Sequence, residues 1–475
     1  MVVGELVQER DLIVIGGGPA GYSAAIRAAQ AGLDVILVEK KALGGVCLNE
    51  GCIPSKVFTQ STGAFEQAKK ASAYGVEAKE LGFNLAKMHE WRNGVVSGLK
   101  KGVESLCAAH KIEVVNGEAS FLSEDRIGVE HGHQFDTYRF KQAVIAVGSN
   151  PDLPVWAKSD HILDASGVFA LEEVPEHLIV CGNDYIALEA AFGFRALGSV
   201  VTIITEDAGF GFDSSIEKEL QRILKKRKIR FVKDARVIRT EEQDSIISVF
   251  YETPKGKLES EGSHVYVSAP RRPLTSELGL SRAGVNVEES GHITVDSRCR
   301  TNVPTIFAAG DITQGPALAV KALKQGKTAA DNAAGIPAEF NLTFIPRVVH
   351  SDPPVASVGL TEDEAKEQGY SVKVSETAAA GNGFASLSGQ KEGKTKIVSD
   401  RDTDLILGFH TIGAGAVELI SNGVTALEMV ARDEDLSAVF YPHPSLNENW
   451  LETAEGLSGK ALHAPPQRQT AGSVK

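Results

Sequence analysis

Two cysteines stand close together in GGVCLNEGCIPSK (residues 44–56), Cys47 and Cys52, in a chain that holds five cysteines in all. Thiols at this spacing can ligate a metal, form a structural bridge or carry out redox chemistry. Zinc asks for four ligands, commonly two such pairs or one pair with histidines, and Cys107, Cys181 and Cys299 are scattered singly. A structural staple needs an oxidising compartment, to which nothing in the sequence points. Redox chemistry without a metal is the reading that survives. It requires a partner for the electrons.

The spacing also constrains the backbone. Five steps of regular helix rise about 7.5 Å, beyond the ~6.8 Å that a disulfide spans between Cα atoms. A bridge therefore needs a distorted turn, which Gly51 eases, and Pro54 suits a helix running on just after Cys52. The dipole of that helix and nearby positive charge would lower the thiolate pKa of whichever cysteine lies at its start.

The electron partner is sought in the elements around the pair. An apolar run, DLIVI (11–15), leads directly into Gly16-x-Gly18-x-x-Gly21, then the helix-like YSAAIRAAQAG, then a second apolar run ending in Glu39. This predicts strand, glycine turn, helix and strand with an acid at the end. Such a unit binds a dinucleotide: the glycines admit the pyrophosphate, the helix N-terminus stabilises its charge, and Glu39 accepts from a ribose diol. Much later, TIFAAGD (305–311) is another apolar run ending in an acid, Asp311, suited to the hydroxyls of a sugar or ribityl chain. Two such elements far apart fit a long ligand such as FAD better than NAD alone. A second βαβ pattern, HLIVCGNDYIALEAA (177–191) to VVTIITED (200–207), makes the chain internally repetitive.

Composition bounds the rest. A chain of 475 residues implies several domains, and 43% hydrophobic residues suffice for full cores. The apolar runs are too short to span a membrane, and MVVGELVQERD lacks the apolar stretch of a secretory signal. A cytoplasmic protein is expected. Forty-nine basic against 62 acidic residues, a net charge of −13, argue against nucleic acid or an anionic membrane as partner. The stretch from His463 to Lys475 reads as a frayed tail.

Taken together, GGVCLNEGCIPSK after a GxGxxG unit, the AGD segment, HPSLNE (443–448) and SDPPVASVGLTEDEAKEQG (351–369) resemble the flavin disulfide reductases. The ending CIPSK is most similar to the dihydrolipoamide dehydrogenase branch. The resemblance runs from residue 11 to about 460. It implies an α/β fold with two Rossmann-like nucleotide-binding domains and a C-terminal α+β dimerisation domain. The expected division is an FAD domain with the redox disulfide at 1–152, an NAD-type domain at 153–273, a central domain completing the FAD site at 274–345, and a dimer interface domain at 346–475.

The resemblance also assigns roles. Cys47 exchanges with a dithiol substrate and Cys52 faces the flavin. Lys56 lies beside the flavin and pairs with Glu189. The FAD site takes Gly16, Gly18, Gly21, Glu39, Lys40 and Gly45, and further along Ala119, Gly148, Asp311, Leu318 and Ala319. His443 is the base and Glu448 orients its ring and raises its basicity, in the family's HPTxxE pattern with Ser445 in place of Thr. Tyr441 stands where the family often has a second histidine. The family's base serves the disulfide of the opposite subunit, so a homodimer with shared sites is implied. The substrate expected is dihydrolipoamide, free or carried by a lipoyl domain protein.

The NAD-type site, represented by Gly182, Glu189, Thr205 and Pro270, departs from the family. Its fingerprint keeps only Gly182 of three glycines, with Asp184 and Ala187 at the other two; Thr205 replaces an acid, followed by Glu206, and Pro270 replaces the glycine of GRRP. A carboxylate ~5 Å from one phosphate charge costs ~3 kcal/mol at an effective dielectric near 20, about a hundredfold in affinity. No arginine pair follows Thr205 to suit NADP. NAD is left in doubt as the acceptor. Competing readings are a mercuric or other disulfide reductase, disfavoured because Cys299 is the last cysteine, and a flavin-bearing lipoyl-binding subunit without turnover. The second has no need of Cys47, Cys52, His443 and Glu448 together.

Overall fold

The structure is a computed structural model and describes residues 7–77 and 79–463. The expectations for the first six residues and for the tail beyond His463 lie outside the described residues.

Strand Val7–Ile15 forms because its second half, Leu12 to Ile15, is apolar on both faces and buried on both, as central parallel strands are. It pairs in parallel with Val35–Glu39 on one side and Gln134–Ile145 on the other. The sheet is extended by Glu113–Asn116 beyond Val35–Glu39, and by the antiparallel strands Arg126–His131 and Glu118–Ser123 beyond Gln134–Ile145. The TIFAAGD segment supplies Ile306–Ala308, which pairs in parallel with Gln134–Ile145. Asp311 is thereby delivered to the carboxyl end of the same sheet that carries Gly16.

Helix Pro19–Gln30 follows the glycine turn, with proline in its first turn where no intrahelical N–H is needed. Its buried face is small: Ala20, Ala24, Ala25 and Ala28. That face packs against helix Ala319–Ala333, so closely that a Cβ on Gly326 would stand 2.2 Å from the Ala20 carbonyl oxygen.

The internal repeat is real. His177–Cys181, helix Tyr185–Leu197 and Val200–Ile204 open a second parallel sheet, ordered Arg230–Val232, Val200–Ile204, His177–Cys181, His264–Val267, Ile162–Leu163. An antiparallel ribbon, Ser149–Pro151 with Arg271–Pro273, stands where the chain leaves the first sheet and where it returns after the second.

The C-terminal unit is a five-stranded antiparallel sheet covered by helices Ala416–Glu428 and Glu448–Leu457. Buried Lys396 on this sheet donates to Asp213 at 2.9 Å and Glu362 at 2.6 Å, which ties it to the second nucleotide fold. The architecture is the expected α/β class with two Rossmann-like units and an α+β C-terminal unit. No helix of the described residues is long and apolar enough to cross a membrane, and no group of three or more metal-ligating side chains occurs among them.

Candidate active site

Cys47 lies in a short helix, Gly45–Asn49, and Cys52 is the first residue of the 18-residue helix Cys52–Lys69. The distorted turn between them is built at Gly51, whose N–H donates 2.7 Å to the Val46 carbonyl, five residues back, before the longer helix begins. Both thiols are free. Their mutual interaction raises the Cys47 thiol well above its ordinary range, helped by burial, and lowers the Cys52 thiol. The Lys56 ammonium, one turn along the same helix, lowers Cys52 further against the opposing effect of burial. Both shifts favour ionisation at Cys52 over Cys47.

Both sulfur-bearing residues line one cavity of about 470 Å³. Gly16, Gly18, Glu39, Lys40, Gly45, Ala119, Gly148, Asp311 and Ala319 line the same cavity. Gly18 caps helix Pro19–Gln30 without a side chain, so the first amides of the helix are left for a ligand. Glu39 is held by the N–H groups of Gly17 and Lys41, both at 2.6 Å, with its carboxylate at the cavity wall. Lys40 reaches Glu118 at 2.7 Å. Asp311 accepts from the Ser149 hydroxyl at 2.8 Å and stands 3.6 Å from Arg271. A ligand with an acidic pyrophosphate, a ribose and a polyol chain finds a partner for each part.

Three of the anticipated residues lie outside that lining. Gly21 packs beneath it: a Cβ there would stand 1.7 Å from the Gly16 carbonyl oxygen. Backbone cannot yield that distance, so Gly21→Ala is expected to destabilise the fold by about 3 kcal/mol, the upper end of overpacking costs, checked as a lowered melting temperature. Leu318 caps helix Ala319–Ala333 from behind. Lys56 pairs with Glu189 as the resemblance implied: Glu189 is fully buried and accepts from its ammonium through both oxygens at 2.8 Å. Glu189 also accepts from the His350 N–H at 3.0 Å, so it is bound to a lysine and a loop of the C-terminal unit, not poised for a nucleotide.

His443 is exposed, with its Nδ1 2.7 Å from Glu448 Oε1. The other oxygen of Glu448 accepts from the Ser445 N–H at 2.9 Å. Burial raises the Glu448 carboxyl, but these bonds outweigh it and hold it below its usual range. The bond to Glu448 engages Nδ1 and fixes the orientation of the ring. His443 does not line the thiol cavity of its own chain.

The second fingerprint is built differently from the electrostatic picture its sequence suggests. Asp184 is not a bare charge in a phosphate position. It is the N-cap of helix Tyr185–Leu197, accepting from the Ala187 N–H at 2.7 Å and from the Tyr266 hydroxyl at 2.9 Å. Burial raises its carboxyl, opposed by the Ala187 amide and by the Ser268 and Tyr266 hydroxyls. The repulsion expected from a free carboxylate is therefore replaced by occupancy of one helix amide, that of Ala187. Gly182 keeps a left-handed φ of 129°, where a Cβ would stand 2.3 Å from that of Ser268. Thr205 is buried with its hydroxyl accepting from the Asp207 N–H, and exposed Glu206 stands 3.9 Å from Arg236. Pro270 presents its carbonyl to the Asp152 N–H at 2.8 Å.

Residues not singled out from sequence also meet in the cavity. Arg271 donates to the Ser149 hydroxyl at 2.8 Å and to its carbonyl at 2.5 Å, holding Ser149 against Asp311 across the ribbon. Tyr185 lines the cavity with the Lys56 ammonium 5.3 Å from its ring centre. The arginines of SAPRRP, directly after a strand, were the available signal for Arg271; nothing marked Tyr185.

Comparison with known proteins adds to this geometry. The pattern of the pyridine nucleotide-disulphide oxidoreductase family matches residues 10–326, and that of the family's dimerisation domain matches residues 345–454. The dihydrolipoyl dehydrogenase of Geobacillus stearothermophilus is 41% identical, over 98% of this chain and 99% of its own. That of Bacillus subtilis is 38% identical, over 98% and 99%. Among solved structures, LpdA from Mycobacterium tuberculosis superposes with a TM-score of 0.87 at 25% identity, covering 95% of this chain and 100% of that one.

Proposed function

The chain belongs to the pyridine nucleotide-disulphide oxidoreductase family, and from that premise we propose that it is an FAD-dependent dithiol oxidoreductase acting on dihydrolipoamide. The observation that carries the reading is the single cavity shared by Cys47, Cys52 and the dinucleotide cradle of Gly16, Gly18, Glu39 and Asp311. Gly16, Gly18 and the helix amides would hold the pyrophosphate of FAD, Glu39 its adenosine ribose and Asp311 its ribityl chain. When bound, FAD supplies two-electron acceptance from the reduced pair.

In the oxidised enzyme Cys47 and Cys52 share a disulfide. One substrate thiol gives its proton to His443 and its sulfur attacks Cys47; the Cys47–Cys52 bond breaks and Cys52 leaves as thiolate. The second substrate sulfur, losing its own proton, then displaces Cys47. The products are the substrate disulfide and the reduced protein pair, two electrons having moved. Cys52 at the start of its helix, with Lys56 one turn away, is the better leaving group.

His443 is exposed on its own chain, so we assign it to the thiol pair of a second copy in a homodimer. Val439 and Phe440, a few residues before it, are exposed apolar side chains in the region matched by the dimerisation domain, which supports an interface there. We assign the four regions at 1–152, 153–273, 274–345 and 346–475, and include a lipoyl domain protein as a carrier of the substrate. Rapid mixing of the yellow holoenzyme with dihydrolipoamide, followed by an electron-accepting dye, tests the function: fast bleaching of the flavin absorbance and dye turnover are expected. A protein that takes up no FAD, or one that dihydrolipoamide does not reduce, would sink the proposal.

The lowered Cys52 thiol has a pH consequence. A depressed pKa keeps the thiolate present at pH values below the ordinary thiol range of about 8.5, and it is lost as pH falls through the depressed value. In the two-electron-reduced enzyme the long-wavelength absorbance of thiolate beside flavin should follow the same curve. Removing the lysine charge with Lys56→Met in a Glu189→Gln background, so that no buried carboxylate is stranded, should move its loss to higher pH than in Glu189→Gln alone, because the Glu189 charge itself raises the Cys52 thiol. An unshifted titration would detach Lys56 from the thiolate.

A further inference from the structure

We infer that the second Rossmann-like unit, unlike the first, is closed to pyridine dinucleotides, NAD and NADP alike. The inference stands apart from the dithiol reading, because the comparison is between two units of one chain. In the first, the N-terminus of helix Pro19–Gln30 is capped by Gly18 without a side chain and Glu39 ends the second strand at the cavity wall. In the second, each of these places is taken by the protein itself. The Asp184 carboxylate accepts the Ala187 N–H and the Tyr266 hydroxyl, so the amide that would meet a pyrophosphate is already satisfied by an anion. Displacing it would strand a part-buried carboxylate beside Tyr266 and Ser268.

The crevice is also crossed. In doubly wound folds a dinucleotide lies outside the carboxyl ends of the strands, between the loops that follow them. Here the Asn183 amide, after strand His177–Cys181, donates 2.9 Å to the Asp207 carboxylate and 2.8 Å to the Gly209 carbonyl, after strand Val200–Ile204. That loop is anchored from its far side, since Arg347 donates to the carbonyls of Phe210 and Gly211. The acid that would hold a ribose is absent from the end of the strand, where Thr205 is buried, and Glu206, one residue later, is exposed to solvent. Occupied amide, bridge and missing acceptor act on one ligand.

The test is a binding measurement on the purified holoenzyme, by calorimetry or equilibrium dialysis with NAD, NADH, NADP and NADPH. No saturation below about 1 mM is expected, and a micromolar dissociation constant for any of the four would overturn the inference. The combined variant Asn183→Gly, Asp184→Gly, Thr205→Glu should gain saturable NAD or NADH binding at least about tenfold tighter than the parent. If that variant loses FAD or melts early, Asp184→Ser with Thr205→Glu keeps an oxygen cap and is held to the same standard. A folded variant that binds no better than the parent would overturn the assignment of closure to these side chains. Dihydrolipoamide oxidation with a dye is measured in parallel and reads the first unit alone, so failure of the dithiol reading and failure of this one are separately visible.

Discussion

Changing Cys47 to serine should abolish dihydrolipoamide oxidation, a fall of at least about four orders of magnitude, as befits loss of the group that makes and breaks the covalent bond. Changing Cys52 to serine should do the same to turnover, yet the two variants should differ in colour. With Cys52 retained, its thiolate still lies in the cavity beside the position of the flavin, and the long-wavelength absorbance stays available in Cys47→Ser. In Cys52→Ser it should vanish. The distinction follows from the assignment of Cys52 to the flavin side of the pair, where the Lys56 charge still lowers its thiol when Cys47 is gone. Two variants with the parent's reduction rate would remove the pair from the mechanism, and two variants with identical spectra would remove the asymmetry.

The second large effect belongs to His443. Its ring is held by Glu448 at 2.7 Å and leaves Nε2 free for a proton. His443→Gln should slow reduction of the flavin by dihydrolipoamide by roughly two to four orders of magnitude, the reach of a positioned general base. FAD content should be unchanged, because the ring is exposed on its own chain and lies outside the cavity proposed for FAD, and the dimer is checked in parallel. Stopped-flow reduction at several pH values is the measurement. A rate within a few-fold of the parent would take His443 out of the reaction.

Much of the fold was legible because its signals are local. DLIVI, HLIVC and VVTII are continuous apolar runs and became central parallel strands, each buried on both faces. The break between Cys47 and Cys52 was legible from arithmetic alone, since a regular helix holds the two too far apart. Other features depend on contacts that no spacing reveals. Asp184 reads as an intruding charge, but whether a carboxylate faces a crevice or caps its own helix depends on Tyr266 in a strand 82 residues away. Lys56 pairs with Glu189 as the resemblance implied, but the His350 N–H that the same carboxylate takes, a contact spanning 161 positions, was hidden. Arg271 was hidden because its role exists only where two short strands, one from each side of the second nucleotide fold, lie against each other. The Asn183 bridge was hidden for the same reason. Asparagine after a strand is ordinary turn chemistry until the opposite loop is in place.

The central claim, that Cys47 and Cys52 form a redox pair working against FAD, is tested most directly by an anaerobic titration of the oxidised holoenzyme with dihydrolipoamide, read as a full absorbance spectrum. One equivalent of dithiol per chain should open the disulfide and bring up the long-wavelength band of thiolate against oxidised flavin. Iodoacetamide should then label Cys47 and Cys52 in the titrated protein and neither of them before dithiol is added. A spectrum left unchanged by several equivalents, or equal labelling before and after, would contradict the account.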